Sequence, residues 1–142
     1  MSWKISCQFE GKEEDIWKNY HGFIYKITDQ NGKFYIGRKA FQSRRKKKLT
    51  KKELVEITDK RLKKWKWDIK ESNWREYNSS CKPLVAGIAE GSIEVSKEII
   101  KLVERKEQMT YYETKAQFEH NVLEVDSYNQ NILGRFFRKI LE

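Results

Sequence analysis

The sequence predicts an α+β domain in which a small three-stranded antiparallel sheet is flanked by helices. Three observations predict it. Two stretches rich in aromatic and β-branched residues, 22–28 and 33–38, enclose the turn signal Asp29-Gln30-Asn31-Gly32 and read as a β-hairpin. A third β-branched stretch, Val95 to Val103, lies far along the chain and reads as another strand. Segments bearing helix start and stop signals separate and follow these strands.

Taken in order, residues 1–21 mix charge with Trp3, Phe9, Trp17 and Tyr20 and read as a strand and a short helix added to the domain. In the hairpin, a three-residue loop with a left-handed Gly32 makes a type I turn plus bulge. Tyr25 then faces Gly37, and Tyr25 and Tyr35 share one sheet face as diagonal neighbours, roughly 7–8 Å apart at most. A two-residue Asn31-Gly32 loop would slip the register by one and send the phenols to opposite faces. The three-residue form is the one expected. Ala40 to Leu49 is too charged for a packed element and is expected to be a mobile loop. Thr50-Lys51-Lys52-Glu53 reads as a capping box opening a helix to about Ile69, with Leu54, Ile57, Leu62 and Trp65 near one face.

Residues 74–80 read as a loop. Pro83 and Gly91 then frame a helix over about 82–90, and a longer helix spans about 107–124. The tail from Ile132 to Leu141 is apolar and basic. It invites a homodimer, although packing as a helix on the protein's own core is the reading placed ahead. There is no internal repeat and no evident linker, so the 142 residues are expected to form a single domain.

Charged residues make up 36% of the chain, mean hydropathy is −0.89 and the formal net charge is +9. The distribution is more telling than the total. The segment from Arg38 to Trp67 carries a net charge of +11, and the rest of the chain −2. A phosphate-rich partner is the natural reading, because neutralising phosphates releases condensed counterions. The alternative is a solvated, self-repelling loop. No apolar run approaches the ~20 residues needed to cross a bilayer, and the N-terminus lacks a signal-peptide core, so a cytoplasmic protein is expected. Cys7 and Cys81 have neither metal-site spacing nor the pattern of a disulfide framework.

Phosphodiester hydrolysis needs a group to take a proton from water, a cation to stabilise the charge of the transition state, and a ligand for that cation if it is a metal. Candidates exist for all three. Tyr25 and Tyr35 are phenols beside Arg38, Lys39, Arg44 and Arg45, whose charge favours phenolate and suits phosphate oxygens. Glu113 on the long helix offers a hard carboxylate for a divalent ion. Each has a plainer reading: strand tyrosines are usually core, Glu113 follows Thr110 at capping-box spacing, and Asn129 suits a turn. His21 and His120 are more simply surface or packing residues.

The combination is more specific than its parts. Phe23-Ile24-Tyr25 and Tyr35-Ile36-Gly37 resemble the two halves of the GIY-YIG nuclease signature at the usual spacing. Arg45 falls where that family carries an arginine after the final glycine. Glu113 in Tyr111-Tyr112-Glu113-Thr114-Lys115 matches its helix glutamate, and Tyr128-Asn129 matches a Tyr-Asn pair. The resemblance covers about residues 22 to 133. Arg38-Lys39, the basic segment and the Trp74, Tyr77, Ser79, Ser80 pattern resemble a free-standing branch found in phage genomes. Phe23 stands where the signature has its first glycine, with Gly22 one place earlier.

The resemblance implies a GIY-YIG-like fold and a phage-encoded, metal-dependent DNA endonuclease, working in the host cytoplasm with Mg²⁺ or another divalent ion such as Mn²⁺ on Glu113. It implies Tyr25 as base with Tyr35 assisting, Arg45 and then Arg38 as phosphate clamp, and Asn129 fixing local geometry or a phosphate. Contacts to double-stranded DNA would come from Lys39, Arg44, Lys46, Lys47, Lys48, Lys64, Ser79 and Ser80. The competing class is a non-catalytic nucleic-acid-binding module that keeps the fold and the basic belt.

Overall fold

A computed structural model describes residues 2–57 and 64–141. Its strands are β1 (Trp3–Ile5), β2 (Gly22–Asp29), β3 (Phe34–Ala40), β4 (Gln42–Lys48), β5 (Trp65–Glu71), β6 (Val95–Val103), β7 (Asn131–Ile132) and β8 (Phe136–Phe137). Its α-helices are α1 (Ile16–Asn19), α2 (Lys51–Val55), α3 (Lys82–Glu90) and α4 (Met109–Glu119). The central sheet runs β1-β6-β2-β3. The three expected strands β2, β3 and β6 pair antiparallel, and the N-terminal segment adds β1 as a fourth strand, parallel to β6.

Alternation along β2 splits the core into two layers. Phe23, Tyr25 and Ile27 pack with Trp3, Phe41, Trp74 and Leu84 of α3 on one face. Ile24 packs with Ile36, Val103, Met109 and Ala116 of α4 on the other. The hairpin has the expected register: Tyr25 pairs with Gly37, and Gly32 adopts a positive φ of 86°. Asp29 fixes the turn, its Oδ1 accepting from the amides of Asn31 at 2.8 Å and Lys33 at 2.9 Å. Its Oδ2 accepts from the Tyr128 hydroxyl at 2.6 Å, tying the turn to a residue 99 positions away.

Two expectations for the basic segment are corrected. Residues 42–48 are not a mobile loop but β4, paired antiparallel with β5 in a separate two-stranded sheet. The capping box at Thr50 forms, with Glu53 answering the Thr50 amide, yet the helix it opens stops at Val55. Trp65 to Ile69 are strand, not helix, because Trp65, Trp67 and Ile69 repeat with period two on strand-forming side chains. Leu62, expected on the helix, lies outside the described residues. Lysines are tolerated in β4 because both faces of a two-stranded ribbon stay wet, so no cation has to be desolvated.

The loop at 74–80, α3 and β6 fall where the sequence puts them, and α4 is shorter than expected, ending at Glu119. In the tail, Phe136 packs edge-on against Phe118 at 5.9 Å, so part of it seats on its own chain. The Arg138 guanidinium donates to the carbonyls of Val122, Leu123, Val125, Ser127 and Asn129. No described helix is long and apolar enough to cross a membrane.

The Asp29–Tyr128 bond gives a pH signature. Partial burial pushes the Asp29 carboxyl up, but the hydrogen bonds it accepts outweigh this and hold it below the usual range. Burial and the bond to Asp29 push the Tyr128 phenol up to about 12. Tyr128's stabilisation is therefore full below the unfolded phenol value of about 10 and disappears as pH climbs toward 12. Tyr128→Phe should cost about 1–2 kcal/mol at pH 7 by denaturant unfolding. The gap to wild type should close between pH 10 and 12.

Candidate active site

The two phenols meet where the sheet is thinnest in side chains. Tyr25 is only 1% exposed, and its ring centroid lies 6.1 Å from that of Tyr35 and 6.0 Å from that of Tyr77. Gly37 makes this possible, because a methyl group there would sit inside contact distance of the Tyr25 hydroxyl and the Tyr35 ring. The pairing of β2 with β6 shifts register between Ile24 and Tyr25, a bulge of the kind that re-aims a side chain beside a site. Gly22 serves a different close approach: a side chain there would strike the Lys39 carbonyl and Met109 at the start of α4. This leaves Phe23 free to fill the core from the position where the signature has glycine.

Burial separates the two phenols chemically. It drives the Tyr25 hydroxyl far above its ordinary value, with neighbouring Tyr77 and Tyr35 adding to the effect. Tyr35 is half-buried and also pushed up by burial, though its hydrogen bond with Ser80 at 3.2 Å pulls the other way. Tyr25, expected as base, is thus fully buried, whereas Tyr35, expected as helper, is the more accessible phenol. Tyr35 is the phenol that lines an open pocket, together with Cys81, Glu113, Gln117 and Asn129.

Glu113 comes from the other face of the sheet and meets Tyr35 across the β3 edge. It is not a capping residue, because α4 starts at Met109 with Gln108 before it. Among the described residues Glu113 forms no hydrogen bond or ion pair. Burial raises its carboxyl above the usual range, opposed by the charge of Arg38. Arg38 is held against the same helix by a hydrogen bond from Nη1 to the Thr110 hydroxyl. Lys39 lies over the Tyr77 ring at 4.4 Å, and burial lowers the pKa of its ammonium.

Asn129 has a resolved task. Its Oδ1 accepts from the Ile36 amide and its Nδ2 donates to the Ile36 carbonyl, both at 2.9 Å. It pairs with the outer edge of β3 as a neighbouring strand would. Tyr128 adds a backbone bond to Phe34, and Ser127 bridges Phe34 in parallel. Of the expected DNA contacts, Ser80 reaches the site, whereas Ser79 is buried with its hydroxyl spent on the Cys81 amide, the start of α3. Arg45, Arg44, Lys46, Lys47 and Lys48 stand on β4, with Arg45 opposite Asp68. Lys64 is exposed at the entry to β5. Sequence reasoning missed Tyr77 and Gln117 as site neighbours, since only the folded chain brings them to Tyr25 and to the pocket. His120 is satisfied by the Ala116 carbonyl, and His21 carries a buried ring nitrogen without a described partner.

The Glu113 carboxylate and the Ser80-bonded Tyr35 phenol line one half-open pocket, Arg38 is held against α4, and Lys39 lies on the other face over the Tyr77 ring. The class to which this α+β fold belongs, endonuclease domains, is given by a family match. A family model described as "Putative endonuclease segE, GIY-YIG domain" matches residues 3–133, and the chain belongs to the GIY-YIG endonuclease family. No curated protein and no solved structure matches it.

Asn129→Ala would orphan the amide of buried Ile36 and leave its carbonyl only the long 3.4 Å bond from Gln117 Nε2. Thermal unfolding should register a loss of about 2–3 kcal/mol. Gly37→Ala should cost about 1–3 kcal/mol by forcing the tyrosines apart.

Proposed function

We propose that the chain is a metal-dependent endonuclease cutting double-stranded DNA. The observation that carries this is Glu113: a half-buried carboxylate without a described ion-pair partner, in one pocket with Tyr35. The donor chemistry fits a hard divalent ion such as Mg²⁺ or Mn²⁺, which takes one carboxylate and keeps most of its water. When bound, such an ion supplies Lewis-acid stabilisation of the charge that builds on the phosphate.

The chain's own residues do the rest. Glu113 holds the cation. Tyr35 positions the attacking water through its hydroxyl, with Ser80 fixing the direction of that hydroxyl. Tyr25 packs behind Tyr35 and keeps the strand geometry. Arg38 and Lys39 replace Arg45 as first choices for the phosphate clamp, because they leave β3 beside the phenols while Arg45 sits on the separate ribbon. Arg45 joins Arg44, Lys46, Lys47, Lys48 and Lys64 in gripping the flanking duplex. Asn129 holds β3 in place and does not touch phosphate. The resemblance to phage-borne members carries the further proposal that the chain is phage-encoded and works in the host cytoplasm. A homodimer through exposed Phe137, Ile140 and Leu141 would supply one site per strand.

Plasmid nicking with Mg²⁺ and then with chelator separates this reading from a binding module. Glu113→Gln should slow nicking on the order of 10²–10³-fold while DNA binding persists. Tyr35→Phe should cost about 10²-fold in turnover. Salt-sensitive binding without cleavage by the wild type would instead identify the non-catalytic module. For the dimer, light scattering should give twice the monomer mass for wild type and the monomer mass for Phe137→Asp; two monomers would remove it.

A further inference from the structure

Strands β4 and β5 form a ribbon apart from the central sheet, yet its base is clamped beside the site. β4 leaves directly after Phe41, which is fully buried, and β5 returns just before Trp74, which is nearly so. Between them the Ser72 amide donates to the Phe41 carbonyl at 2.8 Å, and the Ser72 hydroxyl donates to the Ala40 carbonyl at 2.6 Å. The ribbon is thus held at its root by β3, two residues from Arg38. At about 3.3 Å per residue its seven-residue strands reach about 23 Å from that root.

Its two faces differ. Paired residues share a face, so Arg44, Lys46 and Lys48 lie with Ile69, Trp67 and Trp65. The other face carries Ser43, Arg45, Lys47, Lys66, Asp68 and Lys70, and α2 closes on it through the Lys66–Glu53 ion pair at 2.9 Å. On the first face Trp65 stacks edge-on with Trp67 at 4.9 Å, and Lys46 lies 4.6 Å over Trp65. Trp67 and Ile69 are nevertheless 49% and 47% exposed, two large apolar side chains among cations and outside both core clusters. The ring contact with Trp65 still leaves about half of Trp67 open to solvent, and Ile69 is open to a similar extent. A surface patch of that kind marks a contact.

We propose that this ribbon is a DNA-reading arm that lies in the major groove of the duplex, with Trp67 and Ile69 against base edges and Arg44, Lys46 and Lys48 on the flanking phosphates. The proposal rests on the endonuclease reading and gives it a recognition element. Charge selects the partner: the two strands carry seven cations against two carboxylates. Width selects the groove: the major groove, about 12 Å across, admits a two-stranded ribbon, whereas the minor groove, about 6 Å across, does not. Apolar side chains in the major groove read thymine methyl groups, and cations at the flanks bind phosphate without reading sequence.

The test uses the full chain in the Glu113→Gln background, so binding is read without cleavage. Trp67→Thr with Ile69→Thr keeps β-branched strand formers, and thermal unfolding checks that the ribbon's root is intact. Binding is measured to duplex and to single-stranded DNA, and cut sites are mapped with Glu113 restored. The double variant should bind duplex about tenfold more weakly and lose its preference among cut sites. Lys46→Ala with Lys48→Ala should weaken all sequences alike and lower the salt slope by about 2. Duplex affinity within twofold of the parent and unchanged cut sites would overturn the arm. So would a loss confined to single strands, which points to base stacking on Trp67. Failure of the parent chain to bind DNA at all would sink the endonuclease reading itself, a result distinct from either.

Discussion

The constraint on which the rest depends is the register of the β2–β3 hairpin. It brings Tyr25 opposite Gly37, the one β3 position where the partner of a buried phenol has no side chain. A slip of one residue would turn Tyr25 toward the α4 face and put Ile24 in the aromatic layer. Asp29 opposes that slip by accepting two turn amides and the distant Tyr128 hydroxyl. A single carboxylate therefore couples the turn chemistry to the segment that carries Asn129, and the site is assembled by the same interaction that fixes the fold.

A second layer of support comes from the C-terminal side. Residues 127–129 pair with the β3 edge from Phe34 to Ile36, and Arg138 holds that segment by donating to its carbonyls and to the Ser127 hydroxyl. Buried polar networks stabilise only when every member is paired, and here the Asn129 amide is matched on both sides. The tail is thereby given a role in the geometry of β3, whatever its exposed apolar residues contact. Lys97 does the same for the loop on the opposite face: it is 3% exposed and donates to Asn78 at 3.2 Å, beside Tyr77.

The hairpin, α3, β6 and the position of Glu113 on α4 were legible because each rests on local chemistry: a left-handed glycine, a proline at a first turn, β-branched runs. The ribbon was not, because the charge of residues 42–48 masks a strand whose stability comes only from its partner. The period-two spacing of Trp65, Trp67 and Ile69 carried the signal and was outweighed by the capping box at Thr50 upstream. The strand and short helix expected within residues 1–21 are present, but the place of β1 beside β6 was not legible, because three residues pairing in parallel leave no pattern that names their partner. The burial of Tyr25 and the work of Asn129 on Ile36 depend on contacts 10 to 93 residues apart, beyond any window of sequence.

The electrostatics of the site point one way. Burial raises the Glu113 carboxyl and the Tyr35 phenol and lowers the Lys39 ammonium, so each is held against its charged form in the free protein. A divalent cation beside Glu113 would reverse the first, and its charge would also draw down the nearby phenol. A phosphodiester beside Lys39 would reverse the third. The same desolvation that disfavours isolated charges makes paired ones strong, since a low local dielectric amplifies attraction as well as solvation cost. Had the site been built for stability, Glu113 and Lys39 would form an ion pair with each other. They instead sit on opposite faces of the sheet, Glu113 lining the pocket with Tyr35 and Lys39 lying over the Tyr77 ring.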